Sequence, residues 1–179
     1  MLDKFKSFIS SNKQSTHLDN IKNLKDLKNL VATKSIFSVL EHQDESSKLM
    51  FVGGCVRKLL NKEMINDIDI ATSLTPIELT NILTKKNVYF IETGIAHGTI
   101  TVVINEIKFE ITTLRKDVST DGRHANVEFI SDWEMDAKRR DFTINAIYAD
   151  SEGEIYDPLG GLKDLKNGIV KFIGDPNER

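Results

Sequence analysis

The sequence predicts an α+β fold, in which a small mixed or antiparallel sheet is flanked by helices and preceded by an N-terminal helical extension. Residues 1 to about 45 contain neither Pro nor Gly, and their apolar residues recur at helical spacing. From Leu49 onward, apolar residues alternate with a period of two in short segments that Gly and Asn separate. The change of period therefore separates a helical start from a mixed domain, with the division placed between residues 1–34 and 35–179.

Each element has its own signal in the sequence. Period-two alternation predicts strands at 49–52, 67–71, 88–92, 98–104 and 107–114, the last two paired as a hairpin. A helix is predicted to follow the glycine pair at 56–60, and another to begin at Pro76 after an N-cap at Thr75 with Glu78 near the capping-box position. Segment 117–125 is predicted as a mobile loop, 132–140 as a helix, and 142–149 as a strand or a helix.

Composition limits the kind of protein. The chain has 179 residues, of which 40% are hydrophobic and 28% charged, and no apolar run approaches the ~20 residues that span a bilayer, so no membrane partner is expected. A single cysteine and a start without an apolar stretch predict a reducing, cytoplasmic location, although the Lys- and Ser-rich first thirty residues leave an organellar transit peptide open. The net charge of −3 argues against a long nucleic-acid-binding surface, so any RNA contact is expected to be local.

Three acidic residues are candidates for a metal site. Residues i and i+2 of a strand share a face, so Asp67 and Asp69 are expected to project together, and Mg²⁺ suits crowded carboxylates. Glu110 lies on the polar face of its predicted strand and would complete the site if that strand lies beside the aspartates. The alternatives are an Asp-x-Asp pair on an exposed edge strand and an exposed cross-strand pair of Glu110 with Lys108.

Phosphate-binding features lie on both sides of these acids. Gly53 and Gly54 stand fourteen and thirteen positions before Asp67, at a strand-to-helix junction where the backbone can approach phosphate oxygens and Arg57 can reach the same anion. An ordinary turn is the alternative for the glycine pair. His97 is interpreted either as a structural hydrogen-bonding residue at a strand start or as part of a nucleotide cleft.

A second group of polar residues follows the predicted helix at 132–140. Arg139, Arg140, Asp141 and Asn145 combine two planar cations, a carboxylate and an amide, a set suited to triphosphate oxygens and ribose hydroxyls. A solvated basic helix end followed by a cap is the alternative.

Taken together, these segments resemble the catalytic head of the class II tRNA nucleotidyltransferase and bacterial poly(A) polymerase family, within the DNA polymerase β superfamily. The resemblance covers about residues 35 to 179 and implies a polymerase β-like nucleotidyltransferase head. Its parts occur in family order: Phe51-Val52-Gly53-Gly54-Cys55-Val56-Arg57, Asp67-Ile68-Asp69-Ile70-Ala71-Thr72, His97-Gly98-Thr99, Phe109-Glu110-Ile111-Thr112-Thr113-Leu114-Arg115, Asp121-Gly122-Arg123-His124, Arg139-Arg140-Asp141-Phe142-Thr143-Ile144-Asn145-Ala146 and Asp157-Pro158-Leu159-Gly160-Gly161-Leu162-Lys163-Asp164-Leu165.

The resemblance assigns roles to these residues. It implies that Asp67 and Asp69 hold two Mg²⁺ ions and that Glu110 is the third acidic residue of the site. It implies nucleotide contacts for the remaining candidates, namely Gly53, Gly54, Arg57, Arg123, Arg139, Arg140, Asp141 and Asn145, with Arg123 and His124 in the segment that positions the nucleotide. The implied reaction transfers CMP or AMP from CTP or ATP to an RNA 3′ end, with tRNA as the expected RNA.

Two departures from the family pattern affect these expectations. Lys58 stands where the family usually has an acidic residue after the arginine of the glycine motif. The sequence ends where the family continues into neck, body and tail segments that select the base and grip tRNA. Either a second polypeptide supplies these segments as a partner, or the sequence is a fragment, or the protein is a minimal and less selective transferase. A poly(A) polymerase, a catalytically weak remnant acting as an RNA-binding or interaction module, and a small-molecule nucleotidyltransferase are the alternatives, although the last does not fit the segments after residue 138.

Overall fold

The computed structural model of the protein describes residues 18–41, 48–121 and 124–176, without side chains at 119–121 and 124–126. The predictions for residues 1–17 and for Arg123 lie outside these ranges. Within them, the α-helices are α1 (Leu24–Asn29), α2 (Val31–Leu40), α3 (Gly54–Leu60), α4 (Pro76–Lys85), α5 (Trp133–Lys138) and α6 (Gly161–Lys166). Short 3₁₀ turns cover Ile95–His97 and Thr143–Asn145. None of these helices is long and apolar enough to cross a membrane.

The strands form one large sheet and a separate hairpin in the described ranges. They are β1 (Leu49–Val52), β2 (Ile68–Thr72), β3 (Phe90–Gly94), β4 (Thr99–Ile104), β5 (Ile107–Thr113), β6 (Arg115–Asp121), β7 (His124–Phe129), β8 (Tyr148–Ala149) and β9 (Ile155–Tyr156). The sheet has the order β3-β4-β5-β2-β1-β8-β9, and β6 pairs with β7 outside it. Its strand pairs are antiparallel except β2 with β5, which are parallel. The predicted α+β class with a mixed sheet is confirmed.

The main hydrophobic core lies against the face of the sheet that Ile68, Ile70, Phe109 and Ile111 line. Apolar residues of α1, α2, α3 and α4 cover this face, and Leu18 and Ile21 belong to the same cluster. The alternate residues of β2 and β5, among them Asp69 and Glu110, therefore face the other side of the sheet. A smaller cluster on that side includes Ala137 and Tyr148.

Local sequence signals predicted most of these helices and strands correctly. The Thr75 hydroxyl accepts from the Glu78 backbone N–H at 3.3 Å and the Glu78 carboxylate accepts from the Thr75 N–H at 2.8 Å, which is the predicted capping box of α4. Asp132 caps α5 in the same way, since its carboxylate accepts from the Met135 N–H at 3.0 Å. The hairpin of β4 and β5 turns at Asn105 as predicted.

The loop predicted at 117–125 is wrong for the described backbone, which forms the antiparallel strands β6 and β7. Ser, Thr and Asp favour loops by composition, but Asp-Gly between two extended segments is also a hairpin signal. Pairing satisfies backbone groups that a loop would leave to water. Segment 142–149, predicted as a strand or a helix, contains the 3₁₀ turn Thr143–Asn145 and the two-residue strand β8.

Gly161 controls how closely α6 approaches the 3₁₀ turn Thr143–Asn145. A Cβ atom at Gly161 would lie 2.1 Å from the Thr143 carbonyl oxygen, so the backbone would have to shift. We expect Gly161→Ala to lower the free energy of unfolding by about 1–3 kcal/mol, measured by urea denaturation. Gly54→Ala is the matched control, because its Cβ would meet no atom within 4 Å, and we expect its stability to be unchanged or raised by up to about 1 kcal/mol. Equal stability of wild type and Gly161→Ala would contradict this packing.

Candidate active site

The parallel pairing of β2 with β5 brings two predicted site residues side by side. Asp69 is the register partner of Glu110, and Asp67 immediately precedes β2. Neighbouring strands lie about 4.8 Å apart, and residues opposite each other in register point to the same face. The condition set by the sequence, that the strand of Glu110 lie beside the aspartates, is therefore met.

The charges of these residues act on one another. Burial, and after it the negative charges of Asp67 and Glu110, raise the pKa of the Asp69 carboxyl to about 6, while the positive charges of Arg140 and Lys58 oppose the rise. Like charges placed opposite each other in a sheet are destabilising unless a cation lies between them. The carboxylates thus form an acidic site whose repulsion is only partly neutralised by the protein itself.

The acidic residues match Mg²⁺ in the chemistry of their oxygen atoms. In the described ranges, however, no three or more His, Cys, Asp or Glu side chains are grouped so that they could hold a metal ion as they stand. Asp67 is exposed over 59% of its side chain, and Glu110 is exposed as well, whereas Asp69 is partly buried. Convergence of Asp67, Asp69 and Glu110 on a shared cation therefore stays a prediction.

Gly53 connects the acidic residues with the basic group that follows α5. Its φ angle of 74° lies in the left-handed region that favours glycine, and α3 begins at the next residue. A Cβ atom at Gly53 would lie 3.8 Å from Asp69 Oδ2 and 3.7 Å from Arg140 Nη1. A carboxylate and a guanidinium group therefore lie together next to the glycine turn.

The arginines of the predicted basic group bind one buried carboxylate. Arg139 Nε donates to Asp136 Oδ1 at 2.8 Å, and Arg140 Nη2 donates to Asp136 Oδ2 at 3.1 Å. The Tyr148 hydroxyl donates to the same Oδ2 at 2.8 Å and accepts from Arg140 Nε at 3.1 Å. Asp136 is only 1% exposed; burial alone would raise its pKa, but the charges of Arg140 and Arg139 outweigh burial and hold it below its usual range.

Arg115, at the start of β6, adds a third guanidinium group to this cluster. Its backbone N–H donates to Asp136 Oδ1 at 3.3 Å, and its side chain donates to the backbone carbonyl of His97. Burial lowers the pKa of Arg115, and the positive charge of Arg139 lowers it further. The charges of Asp117 and Asp136 oppose this fall, and the guanidinium groups of Arg115, Arg139 and Arg140 together form a basic region that suits a polyanionic ligand.

The remaining predicted site residues occupy different positions. Arg57 donates through Nη1 to Asn145 Oδ1, so these two candidates are linked. The side chain of His97 is exposed, as is that of Asp141, whose backbone carbonyl accepts from the Ile173 N–H at 2.9 Å. The nucleotide contacts of all these residues stay predictions.

Asp136 is the site residue that sequence reasoning missed. It stands three positions before Arg139 and four before Arg140 in a segment already predicted as helical, a spacing at which an acid and a base on one helix face are neighbours. Tyr148 carried no comparable signal, because its contact depends on how β8 packs against α5.

The chain is similar to several known proteins. A human protein named CCA tRNA nucleotidyltransferase 1, mitochondrial, is 46% identical over 136 residues, which are 75% of this chain and 31% of that protein. The crystal structure of the Bacillus stearothermophilus CCA-adding enzyme in complex with CTP matches with a TM-score of 0.70 and 34% identity, over 84% of this chain and 35% of that one. A tRNA nucleotidyltransferase complexed with a primer tRNA and an incoming ATP analog matches with a TM-score of 0.57 and 27% identity, over 73% and 36% of the two chains.

The mixed sheet and its flanking helices define a head domain of the fold found in the CCA-adding enzyme. The family described as the Poly A polymerase head domain matches residues 49–171. The chain belongs to this family, which confirms the resemblance drawn from its motifs. It spans about a third of the length of the curated relatives that it matches.

The raised pKa of Asp69 predicts how stability depends on pH. An unfolded aspartate has a pKa near 3.9, so protonation of Asp69 favours the folded state, and this advantage is lost as pH rises from about 4 to about 6. Above pH 6 the charged group costs on the order of 1–3 kcal/mol. We therefore expect Asp69→Asn to be more stable than wild type by that amount at pH 7.5 in EDTA, and to lose the advantage at pH 4, in urea unfolding. An identical difference at both pH values would contradict the assignment.

The contacts of Asp136 with Arg139, Arg140 and Tyr148 predict that a single substitution at Asp136 lowers the stability of the fold strongly. Asp136→Asn leaves Arg139 and Arg140 without their buried counter-charge, and we expect the free energy of unfolding to fall by about 3–5 kcal/mol. Tyr148→Phe keeps both ion pairs and removes only hydrogen bonds, so a loss of about 1–2 kcal/mol is expected. Denaturant unfolding at pH 7 compares the two variants, and equal losses would show that the charge of Asp136 is not the cause.

Proposed function

We propose that this chain is the catalytic head of an Mg²⁺-dependent nucleotidyltransferase that adds CMP and AMP, from CTP and ATP, to RNA 3′ ends. The observation that carries the proposal is the placement of Asp69 opposite Glu110 beside the Gly53 turn, with Arg140 next to the same turn. Negative oxygens for cations and positive groups for phosphates are thus within reach of one nucleotide. The preferred RNA is tRNA, because the relatives named above carry tRNA or CCA addition in their names.

Two Mg²⁺ ions are part of the proposal, with Asp67 and Asp69 as ligands and Glu110 as the third acidic residue. The chemistry of the donors supports it, as does the incompletely neutralised charge at Asp69. When bound, Mg²⁺ supplies charge neutralisation at the α-phosphate and lowers the pKa of the attacking 3′-hydroxyl.

The side chains and backbone of this protein would position the substrate. The Gly53–Gly54 turn lets backbone N–H groups approach the phosphates, since no Cβ atom stands between them and the ligand. Arg139 and Arg140, oriented by Asp136, would offset the charge of the triphosphate, and Arg57 and Asn145 would contact phosphate and ribose oxygens. Positioning and charge stabilisation then account for most of the rate enhancement.

Poly(A) synthesis is the second candidate, and the description of the matching family favours it. It uses the same site and differs in the choice of nucleotide. A second polypeptide that supplies neck and body segments, and a cytoplasmic location, stay predictions; the human relative is named mitochondrial.

A single assay separates these functions. The purified chain is incubated with Mg²⁺, labelled CTP and ATP, and tRNA that lacks its 3′ CCA end, and the extended RNA is sequenced. Addition of C, C and A followed by a stop supports the proposal, whereas runs of A support the second candidate. Absence of any incorporation would contradict both and favour a binding module.

Two variants test whether the transfer activity depends on the acidic site. Asp69→Asn is expected to lower transfer at least about 100-fold, since charge stabilisation at the reacting phosphate is lost. Glu152→Gln removes an exposed carboxylate that pairs with Lys28 of α1, a helix on the opposite face of the sheet from Asp69, and is expected to retain wild-type activity. Retention of activity in Asp69→Asn would contradict the assignment of the site.

A further inference from the structure

Lys58, on α3, has its ammonium group beside the acidic site. It follows Arg57 on that helix, but the two side chains have different partners. Arg57 donates to Asn145, whereas Lys58 Nζ lies 4.0 Å from Asp67 Oδ1. The Lys58 side chain is 26% exposed, so much of its stem is held against the protein while Asp67 stays open to solvent.

The charge of Lys58 reaches more than one of the acids. Lys58 pairs with Asp67, and its positive charge also lowers the pKa of Asp69, as the charge of Arg140 does. Arg140 is held by Asp136 and Tyr148. A lysine ammonium is a single point charge on a flexible stem, so Lys58 can withdraw from Asp67 at little cost in a way that a guanidinium held by several bonds cannot.

We propose that Lys58 is an internal counter-ion of Asp67 and Asp69 that competes with divalent cations and thereby sets the metal affinity of the site. The inference rests on the proposed function, because it takes the two aspartates as cation ligands. Lys58 acts through Asp67 and not on the substrate, and is therefore a positioning residue. A divalent ion that binds Asp67 must displace the ammonium group or bear its repulsion.

Coulomb's law gives the size of the effect. A single and a double positive charge about 6 Å apart, in a dielectric near that of water, repel each other enough to weaken binding about tenfold. Salt reduces this repulsion, so the effect is largest at low ionic strength.

Metal binding can be measured without nucleotide or RNA. The full chain is titrated with Mn²⁺ at low ionic strength, and unbound Mn²⁺ is followed by electron paramagnetic resonance. Lys58→Met is expected to tighten binding about tenfold, because it removes the charge and keeps a long apolar stem. Lys58→Arg keeps the charge and is expected to bind Mn²⁺ within about twofold of wild type.

Lys85→Met is the matched control for the loss of one positive charge. Lys85 lies at the end of α4, whose buried Leu79 and Leu83 pack into the main core on the face of the sheet opposite Asp69. Its substitution is expected to leave Mn²⁺ affinity unchanged. Thermal unfolding of each variant shows whether the fold is retained.

The outcomes separate this inference from the proposed function. Mn²⁺ binding that is lost in Asp69→Asn belongs to the acidic site. Unchanged Mn²⁺ binding in that variant would contradict the proposed metal site itself. If Asp69→Asn abolishes binding but Lys58→Met leaves it unchanged or weakens it, the role of Lys58 is overturned and the metal site stands. A tenfold gain also seen in Lys85→Met would overturn the role of Lys58, since net charge alone would then explain it.

Discussion

The parallel pairing of β2 with β5 fixes the acidic site, because it alone sets Asp69 opposite Glu110. The same pairing directs Ile68, Ile70, Phe109 and Ile111 into the main core, so burial on one face of the sheet maintains the crowding of carboxylates on the other. A register shift of one residue would exchange the two faces and bury the acids. Core packing and the acidic site therefore depend on the same backbone register.

Charges of both signs lie next to Gly53. Asp69 Oδ2 and Arg140 Nη1 are both within 4 Å of the position that its Cβ would take, and Arg140 shares the buried carboxylate of Asp136 with Arg139. Asp136 makes this cluster possible, since guanidinium groups cannot be brought together in a partly buried region without a counter-charge. The acidic residues favour cations and the arginines favour an anion. A nucleoside triphosphate with bound Mg²⁺ provides both. Membership of the Poly A polymerase head domain family agrees with this chemistry.

Much of the fold could be predicted from the sequence because its signals are local. Strand alternation, the Thr75 cap and the glycine junction each involve residues a few positions apart, and the structure places them within about two residues. The β2–β5 pairing could only be stated as a condition, because two strands and a helix separate these segments in the chain. The paired strands β6 and β7 were predicted as a loop, since composition outweighed the Asp-Gly signal in the sequence. The Asp136–Tyr148 contact depends on tertiary packing and had no local signal.

The central claim is that Asp67, Asp69 and Glu110 serve one divalent-cation site beside the Gly53 turn. The most direct test is a crystal structure of the chain grown with Mn²⁺ and CTP, with Mn²⁺ located by its anomalous scattering. The account predicts a Mn²⁺ peak within about 2.2 Å of oxygens of both Asp67 and Asp69, and the triphosphate between that peak and Arg140. A Mn²⁺–nucleotide complex bound elsewhere, with the carboxylates pointing apart, would contradict it.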